Sequence, residues 1–232
     1  MSLLRVVLWC WGGVSAMLVA LPFTVNPDTV ATWMAEDGVV ERASVLTWAL
    51  ASLYLLWRSR APRGVALAFA LVFVTLAVRE AGLPPEWVPS GKQLMSWRYY
   101  VNPDIDVGRR LITGGLMAAV IVSFATSIRA GWRYVLREDG WRYPDGQMLL
   151  LSGATLVLAQ GGEAMVERLL HAEAAGDAWP RGLLVALSLE EGLEWMGSVF
   201  ALVAVKAATT WMGVDHPARI FPVRISRPAA AH

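Results

Sequence analysis

Three glutamates crowd one apolar run, Leu183–Lys206 (LLVALSLEEGLEWMGSVFALVAVK): Glu190, Glu191 and Glu194. About 20 apolar residues at ~1.5 Å each cross the ~30 Å hydrocarbon core of a bilayer, so the run reads as a membrane span. An acidic side chain near the middle of such a span costs about 2.5–3.5 kcal/mol. Three of them require partners, protons, water or a cation. Glu190 and Glu194 are four apart and leave the helix on one face. The preceding apolar run carries Glu163, and Glu167 and His171 follow it at four-residue steps, making a second stripe.

Carboxylate and imidazole donors on two antiparallel helices suit a divalent ion such as zinc, iron or manganese. The candidate ligands are Glu163, Glu167, His171, Glu190 and Glu194. In that reading Glu163, Glu190 and Glu194 are also the candidate catalytic groups. A carboxylate not used as a ligand serves as general base in a metal-dependent reaction on a lipid or small amphiphile. The same carboxylates, beside Gly161-Gly162 and Gly192, also suit a proton- or cation-coupled carrier. A third reading makes them ion-pair and hydrogen-bond glue in a non-catalytic accessory or assembly subunit of a membrane complex.

Glu41, Arg79, Glu80 and Glu191 are the supporting residues. Seven carboxylates (Glu41, Glu80, Glu163, Glu167, Glu190, Glu191 and Glu194) stand against Arg42, Arg79 and Arg168 in the same half of the bundle. Crowded carboxylates in a low dielectric favour the neutral form, so several are expected to hold protons unless a metal or water takes the load. The ferritin-like Glu-x-x-His spacing is absent, because His171 lies four residues after Glu167 rather than three. There is no Ser or Cys nucleophile motif and no nucleotide-binding glycine loop.

The elements that must position these groups follow from composition. Of 232 residues, 56% are hydrophobic and 17% charged, with a mean hydropathy of +0.47, the signature of a polytopic membrane protein. A net charge of +1 gives no footprint for nucleic acid. The single cysteine, Cys10, excludes an internal disulfide and a cysteine-based zinc site.

Six spans are expected in an all-α bundle over residues 1–206: Leu3–Phe23, Val39–Trp57, Gly64 to about Leu83, Leu111–Ile128, Met148 to about Leu170, and Leu183–Lys206. The first is read as an uncleaved helix rather than a signal peptide, since it is long, holds Trp9 and Trp11, and no small-x-small cleavage site follows it. Thr24–Gly38 reads as a polar loop. Pro84–Arg110, with Trp87, Trp97, Tyr99 and Tyr100 among charges, reads as an interfacial segment between spans three and four. Gly114 and Ala118 form a small-x-x-x-small pair suited to close helix approach. Arg129–Gln147 is a basic linker, and residues 207–232 are a basic cytoplasmic tail suited to an anionic membrane surface.

With the N-terminus inside, twelve of the twenty Lys and Arg residues fall on the cytoplasmic side, and the short turn Arg58–Arg63 is purely basic. The expected topology is N-in and C-in, in a bacterial-type inner membrane, with the acidic groups in the outer half. Six short spans leave little room for alternating access, so a carrier of this size calls for a homo-oligomer or a larger complex. The lipid bilayer is the one obligatory partner.

Overall fold

The computed structural model describes residues 3–35, 38–58, 63–82, 97–102, 105–172 and 180–210. Regular structure among the described residues is entirely helical: α1 (Leu3–Thr24), α2 (Pro27–Trp33), α3 (Val39–Arg58), α4 (Arg63–Glu80), α5 (Trp97–Val101) and α6 (Val107–Trp132). A π-helical turn (Arg133–Arg137) and a 3-10 turn (Gly140–Arg142) lead to α7 (Pro144–Ala172) and α8 (Arg181–Thr210).

Four segments are long and apolar enough to cross a membrane: Arg5–Thr24, Val39–Arg58, Val107–Arg137 and Pro144–Val166. Their outward faces are apolar. Leu46, Leu50 and Leu53 of α3, Leu111, Ile112 and Ile121 of α6, and Val157 and Leu158 of α7 are all exposed. A bundle in water would bury such faces, whereas one in lipid turns them outward. The other two expected spans stand apart for a physical reason. α4 has only 18 residues and ends in Arg79-Glu80, and the apolar run of α8 is broken by its three glutamates.

α8 is the centre of the bundle. It packs against α7, α3, α1 and α2, while α4 packs on α3 and α6 on α4. Two cores meet on its flanks. Ala201 and Val205 join Trp48, Ala51, Leu55, Phe69, Phe73 and Tyr134 on one side. Leu184, Leu193, Met196, Phe200 and Ala204 join Leu18, Val30, Met34 and Met148 on the other. Glu191, Glu194, Ser198, Ala201 and Val205 recur at the i, i+3, i+7 spacing of a single helix face, so the stripe that packs on α3 and α4 also carries two of the glutamates.

Several expected boundaries move, each for a local reason. The polar loop Thr24–Gly38 contains α2, because the Asn26 side chain accepts from the Asp28 N–H at 2.9 Å and Pro27 takes the first helical position. Val30 and Met34 then bury completely or nearly so. α4 stops at Glu80 rather than near Leu83, since Gly82 takes a left-handed φ of +51° and its N–H bonds the Arg79 carbonyl.

α6 starts at Val107, four residues early, because Asp106 accepts from the Arg109 N–H at 3.0 Å. Of the interfacial segment, residues 97–101 form α5, and residues 83–96 lie outside the described residues. Gly114 lies against the Tyr100 ring of the short α5 rather than against one of the long helices. The basic linker is mostly helical, and at its turn the Tyr134 ring lies against Gly140 while its hydroxyl donates to Asp145 at 2.8 Å. Residues 173–179 and the tail from 211 also lie outside the described residues.

Candidate functional site

Arg79 is the hub. It sits at the last turn of α4, and its Nη2 donates to Glu194 Oε1 of α8 at 3.0 Å and to Glu163 Oε2 of α7 at 3.5 Å. Gln160 Nε2, one turn before Glu163, donates to the same two oxygens, at 2.9 Å to Glu163 Oε2 and 3.4 Å to Glu194 Oε1. One guanidinium and one carboxamide therefore share a single pair of carboxylate oxygens. The clamp is a polar tie between α4, α7 and α8.

Burial differs sharply within the clamp. The Glu194 side chain is 7% exposed, against 46% for Arg79 and 52% for Glu163. Glu194 thus points into the bundle, and the Arg79–Glu163 pair marks its rim. Glu80, the next residue of α4, is 6% exposed, and Glu194, Arg79 and Glu41 are the charged groups acting on it. Glu41 of α3 acts on both Glu80 and Glu191.

Close helix contact sets the remaining positions. A side chain added at Gly162 of α7 would come within 3.3 Å of Glu190 Cα, so the glycine lets α8 approach and places Glu190 beside Glu194, Glu163 and Arg79. Gly192 makes the corresponding contact with Leu18 of α1, and Gly197 with Leu156 of α7. Ser152 of α7 donates to the Gly197 carbonyl at 2.8 Å, a second polar tie between these helices. These glycines do not interrupt α7 or α8, as an ion path through broken helices requires. They serve packing instead.

The structure therefore brings together Glu163, Glu194, Glu190, Arg79, Glu80 and Glu191, with Glu41 at the edge. Glu190 and Glu194 share the cluster but part company in packing: Glu190 lies against α7, and Glu194 reaches toward α4. The side chains of Glu167 and His171 lie outside those described. Among the described residues no three His, Cys, Asp or Glu side chains are arranged to hold a metal ion. Gln160 is the member of the cluster that sequence reasoning missed. Its signal was the three-residue spacing to Glu163, which puts both on one face.

No family model, curated protein or solved structure matches this chain.

Proposed function

We propose that the chain is a six-span integral membrane protein, N-in and C-in in a bacterial-type inner membrane, whose outer-half carboxylate cluster binds and releases protons in the manner of a proton-coupled carrier. The observation that carries this reading is that two buried carboxyl groups, Glu80 and Glu194, share the single Arg79 cation with Glu163. Ionised carboxylates only accept hydrogen bonds and repel one another, so buried carboxyl groups sharing one cation favour a proton on at least one of them. Arg79 offsets one negative charge in a group that also holds Glu80, Glu163, Glu190, Glu191 and Glu194. In a low dielectric the excess is relieved by protonation at less cost than by leaving several bare anions.

The metal-dependent enzyme is less well supported. A divalent ion would take the place between Glu163 and Glu194, and the Arg79 guanidinium already lies between those two oxygens. The accessory-subunit reading needs only the clamp and gives no role to the Glu80–Glu194 pair.

Purified protein moved rapidly from alkaline to neutral medium, with an indicator dye in solution, tests the proposal. The wild-type protein should take up a burst of protons, and the Glu80→Gln, Glu194→Gln double variant should lose part of it. Equal uptake by the two proteins would refute proton binding at this pair.

A further inference from the structure

The acidic cluster has two outward-facing parts. On one side is the half-exposed rim of Arg79 and Glu163. On the other is a cavity of about 200 Å³ between the ends of α3 and α4, lined by Glu41, Arg42, Val45, Glu80 and Ala81. That space is ample for several waters. Ser44, next to Val45 in the chain, is 1% exposed, and its hydroxyl has no hydrogen-bond partner among the described residues. It marks a further buried polar position one turn below Glu41.

We propose that protons reach the cluster through this cavity, with Glu80 as the relay that passes them to Glu194. This rests on the proton-binding reading and names its route. Glu80 lines the cavity, is itself nearly buried, and is a charged neighbour of Glu194. The charged groups acting on it are Glu41 from α3, Arg79 from its own helix, and Glu191 and Glu194 from α8, with Arg42 at the cavity wall. The rim is a poor alternative. Its carboxylate, Glu163, is already bonded by both Arg79 and Gln160, and neither a guanidinium nor an amide gives up a proton to pass it on.

The transfer is a proton exchange with no redox step. A hydronium in the cavity gives its proton to one Glu80 oxygen and becomes water, while the proton already on Glu80 passes to the Glu194 carboxylate. Release runs the same sequence backwards.

The test uses full-length protein with the exposed Cys10 replaced by serine. Val45→Cys places a thiol in the cavity wall, and Leu46→Cys, 60% exposed on the apolar outer face, is the control. Ala81→Cys serves as a second cavity position should Val45→Cys misfold. A small charged thiosulfonate should modify the cavity cysteine and spare the control in lipid vesicles. Once modified, the cavity variant should lose most of the fast proton uptake that it shows before modification. A cavity cysteine as unreactive as the control, or one whose modification leaves fast uptake intact, overturns the route while proton binding by the cluster stands. Absence of uptake in the unmodified protein removes the proton-binding reading itself, and the route with it.

Discussion

Arg79 and Glu194 meet at 3.0 Å across the junction of α4 and α8, the half-exposed end of one helix reaching the nearly buried face of another. The pair defines where the acidic stripe of α8 finds its counter-charge. Removing the cation strands a carboxylate inside the bundle, whereas removing both charges leaves two groups able to hydrogen-bond. Arg79→Gln should therefore destabilise the protein by about 1.5–3 kcal/mol. The Arg79→Gln, Glu194→Gln double variant should be more stable than the sum of the single changes predicts. Denaturation in detergent of all four proteins measures the coupling, and strict additivity would show that the pair contributes nothing.

Gln160 offers a milder probe. Its Nε2 bonds Glu163 and Glu194 at 2.9 and 3.4 Å, and both acceptors also bind Arg79. Gln160→Leu should cost about 1 kcal/mol, less than loss of Arg79, because the guanidinium remains. A loss as large as that of Arg79→Gln would mean that the amide, not the guanidinium, holds the clamp.

The adjacent glycines of α7 should respond in opposite ways. Gly161 has open space where a side chain would go, so Gly161→Ala should leave stability unchanged or raise it by up to about 1 kcal/mol through helix propensity. Gly162 lies against Glu190, so Gly162→Leu should separate α7 from α8 and lower stability by about 1–3 kcal/mol. Melting temperatures of the two variants check this, and equal effects would contradict the close approach.

Much of this arrangement was legible in the chain. The α3 and α8 helices begin and end within a few residues of where hydropathy places them, and the convergence of Glu163, Glu190 and Glu194 follows from antiparallel helices with matched acidic segments. What periodicity could not convey was partner choice. Glu190 and Glu194 share a helical face by spacing, yet at the three-helix junction Glu190 lies against the α7 backbone at Gly162 while Glu194 takes partners from both α4 and α7. Gly161-Gly162 read as an interruption because glycine disfavours helix, but tight packing at Gly162 outweighs that cost. Gln160 carries no charge, so nothing in the hydropathy pattern marked it, and α2 escaped notice because its seven residues are held by a cap and two buried side chains rather than by length.

The proposed orientation has its own test. Asp28 and Arg142 are exposed and lie at opposite ends of the bundle, beyond α1 and before α7 respectively. In a background lacking Cys10, Asp28→Cys should react with an impermeant thiol reagent in intact cells, and Arg142→Cys should react only after the membrane is opened. The reverse pattern would invert the topology and place the carboxylate cluster on the cytoplasmic side.

The central claim is that a carboxyl group of this cluster carries a proton at neutral pH, and infrared difference spectroscopy reads that proton directly. Between neutral and alkaline medium, the wild-type protein should lose a protonated carboxylic acid C=O band that shifts when glutamate is carbon-13 labelled. Glu80→Gln and Glu194→Gln should each weaken or displace it, and Glu138→Gln, at the far end of the bundle beside Arg133, should leave it unchanged. A wild-type spectrum with no such band at neutral pH, every carboxylate already ionised, would contradict the account.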